Sequence, residues 1–290
     1  FDDKTEQAKF SGVDDGETIK TINIVTRSDK RNGQFGRIYA GYGDQNKYQG
    51  GGQINFFNKN RRISLLGLTN NVNIQNFSSE DILGFTGSSG GRRGRDNDNF
   101  MVGQQNGITT THALGLNYSD KWGEKIEVSG SYFFNYNDNN ALQSLQRDYA
   151  AQAESNQIYN EDSEENRQGT NHRFNMRMEY NINEKTSLLW RPRLSYQTQD
   201  QLSTTMGNTS TGLALYNSLD LLNSNLNHGL NFDNNLMLRR RLNKPGRTFS
   251  IEVSNNYNNR IGDQSLYSLN NYFVPNAYAD TLDQQTDQDV

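Results

Sequence analysis

The side chains best suited to chemistry in this 290-residue chain are arginines spaced by two. Arg173, Arg177, Arg191, Arg193, Arg239 and Arg241 share the polar parity of alternating segments with Glu179, Asp233 and Glu252. Such a set can line an aqueous path, or it can balance charge on a solvated wall. Arg173, Arg177, Arg191 and Arg193 fall on two neighbouring predicted strands and would form a basic stripe able to dock an acidic surface. A second group is the run Gly90-Gly91-Arg92-Arg93-Gly94-Arg95-Asp96-Asn97-Asp98-Asn99. It can be read as an Arg-Gly nucleic-acid segment, as oxygen ligands for Ca²⁺ lacking the later Gly and Glu of an EF-type loop, as a contact for lipopolysaccharide phosphates, or simply as a flexible exposed loop. His112, His172 and His228 each stand near the start of a strand leaving a long loop, but their spacing matches no metal motif. No Ser/His/Asp or paired-carboxylate arrangement stands out, so the reading is of a protein that is not an enzyme, without cofactor or metal.

These groups need a scaffold, and composition restricts it. Only 32% of residues are hydrophobic, yet 11% are aromatic, with 15 Tyr and 14 Phe; mean hydropathy is −0.94. A water-soluble core usually draws on about 45–50% apolar residues, and disordered chains are poor in aromatics. Absence of cysteine excludes disulfides and thiolate sites. A net charge of −4 gives no argument for a nucleic-acid partner. No run approaches the roughly 18 apolar residues of a membrane helix. A wall with lipid on one side and water on the other would bury aromatics while the chain stays polar.

Period-2 alternation recurs throughout. In Ile126 to Asn137, Ile126, Val128, Gly130, Tyr132, Phe134 and Tyr136 oppose Glu127, Ser129, Ser131, Phe133, Asn135 and Asn137. Phe174, Met176, Met178, Tyr180 and Ile182 oppose Asn175, Arg177, Glu179 and Asn181. Nine strands follow: Gln34–Gly43, Tyr48–Phe57, Arg61–Asn71, Thr109–Ser119, Lys125–Asn137, Asn171–Ile182, Thr186–Gln199, Gly229–Leu242 and Thr248–Asn258. Short turns alternate with long polar stretches over 75–108, 139–168, 202–227 and 263–290, the last of them a tail. This is the pattern of an outer-membrane barrel with short periplasmic turns and long extracellular loops. A short helix is expected over Ala141–Ala150. Tyr118, Trp122, Tyr180 and Phe249 fall near the short-turn end, and Tyr132, Phe134, Tyr136, Tyr196 and Tyr257 toward the long-loop end, as two membrane girdles.

Before the first strand stands Thr18-Ile19-Lys20-Thr21-Ile22-Asn23-Ile24-Val25-Thr26-Arg27, then a basic link, then Phe35-Gly36-Arg37-Ile38-Tyr39-Ala40-Gly41-Tyr42-Gly43. The first segment resembles the last plug strand of TonB-dependent outer-membrane receptors and transporters, and the Asn- and Tyr-rich texture resembles the Bacteroidetes-type outer-membrane β-barrel. The resemblance implies an all-β, transmembrane, antiparallel up-and-down barrel. Residues 1–30 would end a plug domain and link, and 31–290 would form the N-terminal part of a wall of about 22 strands. It implies residence in the cell outer membrane among lipid and lipopolysaccharide, coupling to the TonB complex through a segment outside this chain, and uptake of a small ligand such as an iron chelate, vitamin, glycan or peptide. Arg173, Arg177, Glu179, Arg191 and Arg193 would then face the lumen and plug. Phe77, Phe85, Phe100, Tyr149, Tyr159 and Tyr216 are loop candidates for ligand contact or for stapling their own loops. The chain begins at Phe1 without a signal peptide and ends in Asp-Gln-Asp-Val without a closing aromatic, so a larger wall is expected.

Two alternatives stay open. One is a non-transporting barrel acting as anchor or adhesin; the other is a soluble β-rich surface or fibre protein. Three features strain the barrel reading. Pro192 deletes a ladder donor mid-strand, which a bulge would reconcile. Asn234 and Arg240 share the outward parity of Leu230, Phe232, Leu236 and Leu238. Ile63 to Leu68 has no clear face.

Overall fold

The computed structural model describes residues 2–4, 10, 18–20, 32–75, 106–149, 157–211, 214–244, 246–273 and 276–289. Two short strands, β1 (Asp2–Lys4) and β2 (Thr18–Lys20), pair with each other. The rest is one antiparallel up-and-down sheet of ten strands in chain order. These are β3 (Asn32–Tyr42), β4 (Tyr48–Asn58), β5 (Arg61–Asn70), β6 (Ile108–Trp122), β7 (Ile126–Tyr149), β8 (Gln157–Asn183), β9 (Thr186–Thr211), β10 (Ala214–Arg241), β11 (Thr248–Tyr272) and β12 (Tyr278–Asp289). β3 and β12 are its edges. Left-handed residues close the short turns: Gln45 and Asn46 between β3 and β4, and Gly123 between β6 and β7.

Nine strands were expected in the wall and ten are present. The segments 139–168 and 202–227, expected as loops, are mostly strand; β7 and β8 stay paired from Ile126 with Tyr180 up to Tyr149 with Gln157. Residues 278–289 of the expected tail form β12. The expected helix over 141–150 is instead extended chain through Tyr149. Polar cross-strand bonds support these extensions. Ser144 Oγ donates to Asp162 at 2.6 Å and Asn140 Nδ2 to Asn166 at 2.7 Å. Over Glu161 to Arg167 both faces are polar, and Leu221 and Leu222 are adjacent apolar residues on opposite faces, so the alternation that marks a strand in sequence disappears.

Register gives the sheet one mainly polar and one mainly apolar face. Asn55, Ser64, Asn117, Ser131 and Asn175 lie in one cross-strand row, and Ile54, Leu65, Leu116, Tyr132, Phe174, Leu194 and Phe232 lie in another. The polar face is the enclosed one. Asn55, Asn70, Thr109, Thr111 and Asn135 are each 0% exposed, whereas Ile251 and Val253 on the apolar face are 50% and 51% exposed.

The ambiguous stretch after Arg61 resolves into both faces. Ile63 and Leu65 point outward, while Leu66 and Leu68 join Ala113, Phe133 and the partly buried Ile74 in a buried cluster on the polar side. Pro192 causes no bulge. Its pairing with Asn234 keeps register, and the ladder to β8 is interrupted only between Asn175–Arg193 and Met178–Trp190, with the same register on both sides. The irregularities fall at Leu215/Asn217 and Asn181/Asn183 instead. Asn234 is reconciled by Trp190, whose Nε1 donates to its Oδ1 at 2.7 Å. Arg240 lies exposed near the short turn.

Candidate functional site

The enclosed polar face holds the charged groups of interest, and β-geometry alone puts them together, since residues two apart share a face. Glu179 on β8 accepts from Arg177 Nη2 at 2.9 Å through one carboxylate oxygen and from Arg239 Nη2 at 2.8 Å through the other. Arg239 Nε donates to Ser187 Oγ at 3.2 Å, and the arginine side chain is 7% exposed. Burial makes this network consequential: a charge out of water needs both its counter-ion and its hydrogen bonds. Arg173 lies over the ring of Phe133, 5.9 Å from its centroid. Arg191 and Arg193 continue the stripe on β9, in register with Asn235 and Asp233.

A residue far away in sequence, Phe10, meets this stripe. The ring of Phe10 is covered by Arg239 and Arg241, with guanidinium carbons 4.7 and 5.0 Å from its centroid, and Arg241 Nε donates to the Phe10 carbonyl at 2.7 Å. Sequence reasoning gave Arg239 and Arg241 the polar parity but singled out neither, nor Phe10. A contact spanning more than two hundred residues leaves no periodic signal. Each cation–π contact contributes about 0.5–2 kcal/mol. Phe10→Ala should therefore speed tryptic cleavage after Lys9 by roughly fivefold, corresponding to about 1 kcal/mol; digestion of the folded protein followed by mass spectrometry measures it.

The loop candidates separate. Phe77, Phe85, Phe100 and the Gly90–Asn99 motif lie outside the described residues. Tyr149 stands at the end of β7 opposite Gln157, half exposed. Tyr216 packs edge-on against Tyr272, which stacks on Tyr278 at 4.5 Å. Tyr159 packs over Gly207, where a Cβ would come within 2.7 Å of its hydroxyl, and donates to Glu161 at 2.6 Å. Tyr159 and Tyr216 thus pack against neighbouring strands.

Burial first, and then the hydrogen bond to and charge of Glu161, push the Tyr159 phenol up to about 12 from its ordinary 10.0. Between those values the folded chain holds a proton that the unfolded chain has lost. The contribution of this group to stability is complete below pH about 10 and is lost as pH rises through about 12. Ultraviolet titration should show the highest phenolate step disappear in Tyr159→Phe.

On the apolar face the named aromatics form two bands. Near the short turns, Trp122 Nε1 donates to Tyr118 Oη at 3.0 Å and Tyr118 donates to Asp120, which also binds Arg61 at 2.9 Å. Tyr180 stands opposite Ile126 and Leu188, and Phe249 opposite Arg240. At the other band His172 packs among Tyr132, Phe134 and Tyr196, its Nδ1 bonded to Tyr132 Oη at 2.8 Å. His112 stacks on Tyr136 and bonds Thr69. Tyr257 pairs with Phe232 on the same face. Two of the three histidines are therefore parts of aromatic clusters, and among the described residues no cluster of three metal-ligating side chains occurs. No protein-family model matches the chain, and no curated protein matches it.

Proposed function

We propose that this chain belongs to the wall of an outer-membrane β-barrel of the TonB-dependent receptor type, with its apolar face against lipid and its polar face lining a plugged path for a small ligand. One observation carries the reading: burial is inverted. Asn55, Asn70, Thr109, Thr111 and Asn135 are enclosed, while Leu65, Leu114, Leu194, Ile251 and Val253 on the opposite face are open. In water that arrangement leaves a broad exposed apolar surface; in a bilayer it satisfies both faces. The two aromatic bands support it, because tyrosine and tryptophan favour the interface between hydrocarbon and water. The seat of Phe10 on Arg239 and Arg241 supports a lumen occupied by the preceding segment.

The test is a bilayer-confined photoreactive probe applied to the reconstituted chain. Val253, Met176 and Leu194 are expected to be labelled, and Asn175 and Arg193 not. Solubility and monomeric behaviour without detergent, or labelling of the polar set, would reject the barrel. A display role, as anchor or adhesin, is favoured by a different observation: β7 to β11 run 24–28 residues, well beyond the roughly 9–11 that cross a membrane. Uptake by cells carrying the complete gene, lost on deleting residues 1–30, separates the transporter from the display protein.

A further inference from the structure

Above the aromatic band on the polar face, two neighbouring cross-strand rows enclose a hollow of about 420 Å³. One row runs Asn137, Gly169, Gln199, Asn227, Gly262; the next runs Asn171, Gln197, Gly229, Arg260. Three glycines thus coincide in space although they are scattered over 94 positions of the chain, from Gly169 to Gly262. Backbone geometry does not demand them. None adopts a left-handed conformation, a Cβ on Gly229 would meet nothing within 4 Å, and one on Gly169 only a carbonyl at 3.6 Å. A Cβ on Gly262 would meet only the flexible amide of Asn227 at 2.8 Å. What these glycines supply is space.

The lining also has unused hydrogen-bonding capacity. Asn137 is 7% exposed and its Oδ1 has no partner among the described residues. Arg167 holds Glu165 with one nitrogen at 2.5 Å while its buried Nε is unpartnered. A buried polar atom without a partner is costly, which makes these two atoms candidates for bonds to a ligand. Among the described residues no carboxylate lines the hollow; His228 supplies its one ring, and its fixed charge comes from Arg167 and Arg260. Amide side chains both donate and accept, as hydroxyl groups do, and guanidinium forks match oxyanions.

We propose that this hollow binds a small saccharide bearing an oxyanion, with Arg260 and Arg167 on the acid group and the amides of Asn137, Asn171 and Gln197 on hydroxyls. A peptide would ask for several apolar subsites, and Ile261 is the one aliphatic side chain among the described residues of the lining. The site rests on reading this face as the wall of a ligand path.

Equilibrium dialysis of the full chain in detergent micelles, with trigalacturonate, glucose 6-phosphate and maltotriose as probes, tests it. At least one anionic saccharide should bind about tenfold or more tighter than maltotriose, and which of the two does so identifies carboxylate or phosphate. Gly229→Leu, which fills the hollow without touching backbone, should abolish binding, and Arg260→Gln should weaken it about tenfold. Gly67→Leu, equally free of contacts but on the apolar face, should leave it unchanged. Equal binding of maltotriose, no binding by any probe, indifference to Gly229→Leu, or equal binding of tetraglutamate would overturn the proposal. Lipid labelling is read on the same preparation, so loss of the membrane reading is distinguishable from loss of the site.

Discussion

Arginine at Val253 should destabilise the chain by about 2–4 kcal/mol in a bilayer and by less than about 0.5 kcal/mol in water. Val253 lies on the apolar face of β11, midway between Phe249 and Tyr257 and opposite Leu236. It is 51% exposed, so in water a long cationic side chain there would extend into solvent without displacing anything. In lipid the same position lies between the two aromatic bands, where the charge meets only the neutral amides of Asn255 and Asn234 and no counter-ion. Ser254→Arg, one residue along and on the opposite face, is the control, since the charge then enters the aqueous side beside Asn235. Urea-driven unfolding of both variants in short-chain phospholipid vesicles measures the difference. Equal, small effects would mean that the two faces see the same solvent, and the membrane argument would be lost.

Ser254 and Val253 illustrate what was legible in the chain. Where one face is greasy and the other polar, as in Ile126 to Asn137 or Phe174 to Ile182, parity alone gives strand, face and neighbours, and register puts the expected arginines on one side. Legibility fails wherever both faces carry the same chemistry. Glu161 to Arg167 is polar on both sides, so strand pairing there rests on amide, hydroxyl and carboxylate bonds that have no period. Leu65 and Leu66 fail in the opposite sense, with apolar side chains on both faces. Pro192 misled because a missing donor need not insert a residue; the ladder to β8 lapses and resumes unchanged. The glycine hollow and the Phe10 seat were invisible because each depends on register accumulated across several strands or on a contact between chain segments far apart.

Glu179→Gln should remove about 3 kcal/mol of stability, near the low end of the ~3–5 kcal/mol typical of breaking a buried ion pair. The carboxylate joins two guanidinium groups, and the more deeply buried of them, Arg239, then keeps only Ser187 and the Phe10 ring. Arg239→Met should cost less, because Glu179 retains Arg177 at 2.9 Å and a methionine can fill the space against Phe10. In the double variant Glu179→Gln/Arg239→Met no uncompensated cation is left at the buried position, so much of the loss should return. The coupling between the two sites, obtained from the four unfolding free energies in the same vesicles, should exceed about 1 kcal/mol. A coupling near zero would mean that the network is solvated in the folded protein, and the polar face would then be a wet wall with no seat for the segment around Phe10. Trypsin digestion at Lys9 separates the cases: if the arginines position that segment, Arg239→Met leaves Arg241 on the Phe10 carbonyl and cleavage rises modestly, whereas Arg239→Met/Arg241→Met should release it fully.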